Sequence, residues 1–279
     1  MSNSQLQDTG ERMIPNAHYG TIMYGEHIGR YRAVAKLVEG KIVLDIASGS
    51  GYGSYELAKK AKKVIGVDVS EEAIKYSKSN YRSVNLDFIK SDGLRIPIDD
   101  NSIEIIISME TIEHIEDDNN FISELHRVLK PGGLVVISTP NDKAYPKGNH
   151  FHYREYDKKT LVNLIQSKFK IIKIYYQTID LAASIISDDQ IDSEYSESNI
   201  TVSRFSKRSI EDCVYFMVVA SDNKIPENAI DRNVILSELF SHLEEQKKVK
   251  EINDLRERLS SKRYLFIDKV LSTLYFWKK

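Results

Sequence analysis

From residue 41 onward, short runs of β-branched and apolar residues alternate with segments in which apolar positions recur every three or four residues. The short runs suit strands buried on both faces, and the three- and four-residue steps suit amphipathic helices. The alternation therefore predicts βαβ units and a parallel sheet covered on both sides. Strands are expected at residues 41–47, 63–69, 85–90, 103–109 and 134–138, with helices opening near Gly51, Ser70, Asp117 and Asp157. Ser70 followed by Glu71 and Glu72 is a start signal, because the serine oxygen accepts a first-turn amide and the acids face the positive end of the helix dipole. Lys130-Pro131-Gly132-Gly133 is a stop signal that ends one helix before the next strand. Two later strands, 169–176 and 213–220, flank a polar segment at 187–208 rich in Ser, Asp and Glu. That fits an antiparallel hairpin with a long insertion, either a substrate-side lid or a disordered loop.

Beyond Asp231 the pattern turns helical. Ile235, Leu239, Leu243, Val249, Ile252, Leu255 and Leu259 recur mostly at three- and four-residue steps, with Lys, Arg and Glu between them. This predicts a long amphipathic helix whose register is too irregular for a strict coiled coil. The expected organisation is a leader at 1–40, an α/β domain at 41–222 with a doubly wound, mostly parallel seven-stranded sheet, and a helical extension at 223–279.

Composition narrows the function classes. A chain of 279 residues with 41% hydrophobic and 29% charged residues is neither wholly disordered nor a multi-spanning membrane protein. Its formal net charge of -2 supplies no global field for a polyanion, which argues against bulk nucleic-acid binding. The single cysteine, Cys213, sits in an apolar run, excludes an intrachain disulfide and fits a reducing cytosol. Residues 1–12 lack the apolar core of a secretory signal. Residues 264–277 are broken by Asp268 and Lys269 and fall short of the roughly 20 apolar residues of a spanning helix. A cytoplasmic location is expected. The basic and aromatic C-terminal helix either docks on the protein or a second subunit, or lies peripherally in a membrane interface.

The strongest local signal is Val43-Leu44-Asp45-Ile46-Ala47-Ser48-Gly49-Ser50-Gly51-Tyr52-Gly53, where the first strand turns into its helix. Glycines there let the backbone approach a ligand closely. Their spacing does not meet the G-x-G-x-x-G of a nicotinamide dinucleotide site. Gly66-Val67-Asp68-Val69 places a carboxylate at the end of the second strand, about where a ribose diol would lie. Ser91-Asp92-Gly93 places another acceptor after the third strand, suited to an exocyclic amine.

Taken together, these residues resemble the class I S-adenosylmethionine-dependent methyltransferases, in the branch with a D-x-G-x-G-x-G loop, over roughly residues 38–220. The resemblance implies S-adenosylmethionine as cofactor. It implies that Asp45 and the backbone of Gly49 to Gly51 hold the methionine part, Asp68 the ribose, and Asp92 with Gly93 the adenine, with Val69 and Glu110 bordering the same site. Ala47 stands where the family usually has glycine and adds a methyl group near the turn.

The reacting edge is expected at Ser108-Met109-Glu110-Thr111-Ile112-Glu113-His114-Ile115, after the fourth strand. Glu110 and His114 are the candidate catalytic pair, since an imidazole can take a proton from an attacking hydroxyl and contribute about 10² to 10⁴-fold. Shaping the pocket wall is the other reading of His114. The spacing E-x-x-E-H also resembles the metal-binding segment of some RNA 2'-O-methyltransferases, and related segments occur in quinone-pathway O-methyltransferases. His150 and His152 are the further imidazoles nearby, but the sequence assigns no metal ligand. His150 is a second base candidate; Arg154 and Tyr156 either bind a polar substrate or cap the following helix. Upstream, Tyr24, His27 and Arg30 lie at helical steps, facing either the cofactor carboxylate and acceptor or solvent.

Gly10-Glu11-Arg12, Thr139-Pro140-Asn141 and the helical tail are similar to features of methyltransferases from surface-polysaccharide and other glycan pathways. That similarity implies O-methylation of a sugar hydroxyl in a glycan or its precursor. A small-molecule O-methyltransferase of the quinone or natural-product type and a non-catalytic cofactor-binding scaffold are the alternatives.

Overall fold

The computed structural model describes residues 6, 12–146, 148–179 and 209–231. The insertion at 187–208 and the amphipathic helix expected beyond Asp231 lie outside the described residues.

Seven strands form one mixed sheet: β1 (Ile42–Ile46), β2 (Lys63–Asp68), β3 (Leu86–Lys90), β4 (Ile103–Met109), β5 (Leu129–Pro140), β6 (Ile171–Gln177) and β7 (Tyr215–Ser221). Their order is β3-β2-β1-β4-β5-β7-β6. The first five are parallel, and β7 lies antiparallel between β5 and β6. The order reverses between β1 and β4, and in open α/β sheets ligands bind at the carboxyl ends of the strands beside such a reversal.

Both faces are covered, which explains why the strands read as continuous apolar runs. On one face Leu44, Ile46 and Ile106 pack with Phe121, Ile122 and Leu125 of α5 (Asp118–Val128) and with Leu161 and Ile165 of α6 (Lys158–Gln166). On the other, Val43, Val64, Ile105 and Ile107 pack with Ile28 and Tyr31 of α2 (Ile22–Ala33) and Leu57 of α3 (Tyr52–Ala58). A one-turn α1 (Pro15–His18) precedes α2, and α4 (Glu71–Asn80) follows β2.

The expected helix starts carry their caps: Ser70 Oγ accepts from Ala73 N, Asp117 Oδ1 from Asn120 N, and Asp157 Oδ1 from Thr160 N. Thr21 Oγ1 caps α2 in the same way, accepting from Tyr24 N. β5 departs from expectation by starting at Leu129, before the Lys-Pro-Gly-Gly stop. Leu129 pairs with Ile103 and Leu134 with Ile105, so residues 130–133 bulge out within the strand, with Gly132 at φ +80°. Cys213 is buried, as its apolar run suggests. Among the described residues no helix is long and apolar enough to cross a membrane.

Candidate cofactor and acceptor site

The turn from β1 into α3 is held in a left-handed conformation at three places: Ala47 (φ +55°), Gly49 (φ +56°) and Gly51 (φ +87°). Glycine adopts this at no steric cost, whereas for alanine it costs roughly 1–2 kcal/mol. Gly51 has a second constraint, because a Cβ there would lie 2.5 Å from Ser77 Oγ and 2.6 Å from Ser77 Cβ on α4. Asp68, at the end of β2, accepts from Gly49 N through Oδ2 and from Ser70 N through Oδ1, both at 2.8 Å. An ionised carboxylate has about four acceptor positions, so two remain for a diol. Val69 beside it is exposed. Asp92 is exposed and accepts from Leu94 N through Oδ1 at 2.9 Å.

Asp45 is fully buried beneath the loop. Its carboxylate accepts from Ser54 Oγ at 2.6 Å and Tyr31 Oη at 3.2 Å. Burial pushes this carboxyl up to about 7, with the two hydroxyls opposing and the charge of Asp68 adding to the rise. Asp45 therefore braces the loop from inside and ties it to the leader through Tyr31. That leaves the loop backbone, with Ser48, as the surface toward a ligand; Ser48 Oγ is buried and without a hydrogen-bond partner. The left-handed turn, the close-packed glycine and the carboxylate on the neighbouring strand fit the nucleoside and amino-acid parts of S-adenosylmethionine.

At the end of β4, Glu110 is, like Ala47, a non-glycine residue in the left-handed region, at φ +48°. Ser138 of β5 pins it twice: Ser138 Oγ donates to Glu110 Oε1 at 2.6 Å and accepts from Glu110 N at 3.0 Å. A 3-10 turn, Ile112–His114, follows. Within it Glu113 is 1% exposed and accepts from Thr139 Oγ1 through Oε2 at 2.9 Å. Burial, and then the nearby charge of Glu110, raise its carboxyl well above the usual range. His114 Nδ1 lies 3.0 Å from the carbonyl oxygen of Phe151. A carbonyl only accepts, so Nδ1 carries the hydrogen and Nε2, 4.0 Å from Glu113 Oε1, keeps its lone pair in the neutral ring.

His152 stands edge-on to His114 with ring centroids 4.8 Å apart. Ligand atoms of Glu113, His114 and His152 all lie within 4.8 Å of one another, a grouping able to hold a metal ion. His150, the second base candidate, is not part of this cluster; it is exposed and stacks on Phe151 at 4.1 Å. Arg154 and Tyr156 are taken up structurally, since both bond Asp118 Oδ2 at the start of α5, at 2.5 and 2.8 Å. The Thr-Pro-Asn loop is anchored by Asn141, whose amide donates to the carbonyls of Ile210 and Cys213.

The leader helix α2 lies over this edge and contributes buried polar groups. Arg30 is 1% exposed; its Nη1 donates to Gln177 Oε1 at 2.8 Å and its guanidinium lies 4.8 Å from the Tyr215 ring centroid. Its Nε and Nη2 are buried without a partner, as is Glu26 Oε1. Burial pushes the Glu26 carboxyl up to about 7, and Glu110 is the largest of the charges that hold Arg30 protonated. His27 Nδ1 lies 2.9 Å from Tyr52 Oη, and burial lowers this imidazole well below its ordinary range. The solvent-facing reading of Arg30 is thereby overturned. Glu26 was legible as the i, i−4 neighbour of Arg30, but Gln177 and Tyr215, far away in sequence, gave no local signal.

Comparison with known proteins agrees with this geometry. Residues 44–137 match the family described as "Methyltransferase domain". The chain is 33% identical over 169 residues to a Mycolicibacterium smegmatis protein named "Probable S-adenosylmethionine-dependent methyltransferase", covering 59% of this chain and 65% of that one. It is 32% identical over 117 residues to a ubiquinone biosynthesis O-methyltransferase of Chelativorans sp., covering 41% of this chain and 46% of that one. The chain thus spans less than two thirds of the length of these relatives. Among solved structures, an S-adenosylmethionine-dependent methyltransferase of Thermotoga maritima shares the fold with a TM-score of 0.53 at 19% identity, covering 71% of this chain and 90% of that one. Haemonchus contortus phosphoethanolamine N-methyltransferase 2, solved with S-adenosyl-L-methionine, superposes with a TM-score of 0.51 at 18% identity, covering 70% of this chain and 52% of that one. Motif, fold and relatives point the same way: residues 44–137 match a methyltransferase domain, and the chain is similar in sequence to S-adenosylmethionine-dependent methyltransferases and shares their α/β fold.

Proposed function

We propose that the chain methylates a sugar hydroxyl of a glycan or glycan precursor, with S-adenosylmethionine as donor. The observation that carries this reading is the Ser138-pinned Glu110 beside Glu113 and His114, at the switch-point edge next to the cofactor loop. Bound in that loop, the cofactor supplies a methyl group on a sulfonium, open to in-line attack.

The protein's residues then have separable tasks. The loop backbone and Asp68 orient the donor, and Asp45, Ser54 and Tyr31 keep the loop rigid from beneath. Positioning of this kind can supply about 7–11 kcal/mol of the barrier. Arg30, with two unpaired guanidinium nitrogens, meets the cofactor carboxylate or the acceptor from the leader side. Two groups at the edge can take the proton that an attacking hydroxyl sheds: the Glu110 carboxylate and His114 Nε2. An alcohol far less acidic than a phenol needs such a group, and the polar groups Glu26, Arg30, Glu110 and Glu113 gathered behind this edge suit a hydroxyl-rich acceptor.

A quinone-type or other small-molecule acceptor is the second reading, favoured by the Chelativorans relative. A scaffold without turnover is disfavoured by the reacting groups at Glu110 and His114. Incubating the purified chain with methyl-labelled cofactor and with glycan, quinone and RNA pools decides among these. Label in the glycan fraction is expected; label in the phenolic fraction would replace the sugar reading, and none in any fraction would favour the scaffold. Calorimetry with S-adenosylmethionine tests the cofactor site independently of the acceptor.

A further inference from the structure

We infer that Glu113, His114 and His152 form a binding site for a first-row divalent transition-metal cation at the acceptor edge. Three features support it.

The first is the donor set. One carboxylate oxygen and two imidazole nitrogens lie within 4.8 Å of one another. Two nitrogens among three ligands suit Zn²⁺ or Co²⁺ rather than the oxygen-seeking Mg²⁺, Ca²⁺ or Mn²⁺. Three protein ligands also leave coordination positions open, as in metal sites that receive a substrate. Glu113 Oε1 and His114 Nε2 are 4.0 Å apart, within the span of two metal–ligand bonds of about 2.0–2.2 Å each. The widest separation has to close by only about half an ångström.

The second is the orientation of the ligands. Glu113 and His114 are each held by a partner on the side away from the cluster, as metal ligands are. Thr139 Oγ1 occupies Glu113 Oε2 and leaves Oε1 toward His114. The Phe151 carbonyl takes the Nδ1 hydrogen of His114, which frees Nε2. Asn149 Nδ2, whose amide oxygen is taken by Phe151 N, donates to His152 Nε2 at 3.0 Å, so a cation has to displace either this bond or the Nδ1 hydrogen for His152 to ligate it. Tyr153 N donates to the Glu113 carbonyl at 2.8 Å, so the loop bearing His152 is tied to the turn bearing the other two ligands.

The third is electrostatic. Glu113 is almost fully buried, and its only ion-pair neighbour among the described residues is His114, at 4.0 Å. Glu110 adds a second negative charge nearby. Burying two carboxylates side by side is costly, the charge of Arg30 is the smallest of the influences on Glu113, and a dication between Glu113 and the two imidazoles offsets the remainder.

The assignment rests on the O-methyl-transfer reading for its purpose. A cation here puts positive charge where an acceptor hydroxyl must lose its proton, occupies His114 Nε2, and leaves Glu110 as the proton acceptor. The site itself is tested without turnover. The full chain, stripped with a chelator, is titrated with Co²⁺ and followed by visible absorption, with Zn²⁺ binding measured by equilibrium dialysis. One equivalent of Co²⁺ per chain with ligand-field bands is expected. His114→Ala and His152→Ala should each weaken binding at least tenfold. Thr139→Val, which leaves all three ligands in place, should weaken it about tenfold as an outer partner, while cofactor affinity by calorimetry stays within about twofold. Absence of saturable Co²⁺ binding in the wild-type chain, or binding indifferent to both histidine substitutions, would overturn the metal site. Loss of cofactor affinity in a chain that still binds Co²⁺ would instead sink the methyl-transfer reading and leave the site standing.

Discussion

Replacing Gly51 by alanine isolates the geometry on which the cofactor loop depends. The added methyl group enters a left-handed position, at about 1–2 kcal/mol. It also arrives 2.5 Å from Ser77 Oγ, 2.6 Å from Ser77 Cβ and 3.0 Å from Phe88 Cζ. Overpacking of that kind costs about 1–3 kcal/mol, and the backbone of α4 prevents Ser77 from retreating freely. Together the two effects give a loss of about 2–5 kcal/mol, or about 5–15 °C in Tm for a domain of this size. Thermal denaturation followed by circular dichroism reads that shift, and calorimetry should show weakened affinity for S-adenosylmethionine. A double-mutant cycle separates the causes. Ser77→Gly removes both close atoms but leaves the dihedral strain, so the cycle should return a coupling of about 1–3 kcal/mol in the direction of rescue. A Tm within about 2 °C of the wild type, or a coupling near zero, would refute the reasoning.

Ala47→Gly should act in the opposite sense: it removes about 1–2 kcal/mol of strain at φ +55° but adds unfolded-state freedom worth about 0.4–1 kcal/mol, so urea unfolding should show a small net gain. Asp45 has its folded carboxyl raised to about 7 from 3.8, so the folded chain holds the extra proton between those values; the associated stability is complete at lower pH and is lost as pH rises through about 7, by at most about 1.4 kcal/mol per pH unit. Asp45→Asn should flatten this dependence, shrinking the stability difference between about pH 5 and 7 by roughly 2–3 kcal/mol in urea titrations; an unchanged slope would show that Asp45 is not the titrating group. Ser138→Ala releases both bonds that pin Glu110, so kcat should fall by up to about 10²-fold while calorimetric affinity for S-adenosylmethionine holds, and an unaltered kcat would remove Glu110 from the reacting edge.

What could be read from the chain was whatever depends on neighbours in sequence. β4 lies where its apolar run placed it, and α4, α5 and α6 open behind Ser70, Asp117 and Asp157 because each cap bonds an amide three residues on. β5 was misread at its start, since pairing of Leu129 with Ile103 is a cross-strand event that overrides a Pro-Gly-Gly stop. At the site, the glycine loop and Asp68 were legible because a strand-to-helix turn and the end of the adjacent strand have fixed positions in a parallel sheet.

The hydrophobic alternation and the spacing of Gly49, Gly51 and Asp68 were enough by themselves to determine a doubly wound sheet with a tight turn and a carboxylate at its carboxyl edge, because both are short-range consequences of strand pleat and turn sterics. Tertiary structure alone decided which side chains meet there. It turned Asp45 inward to Tyr31 and Ser54, committed Arg154 and Tyr156 to Asp118, left His150 outside, and drew His152 beside His114. The physical reason is that those partnerships join loops separated by tens of residues. Their geometry follows from how the sheet order stacks strand ends, a quantity that no local pattern encodes.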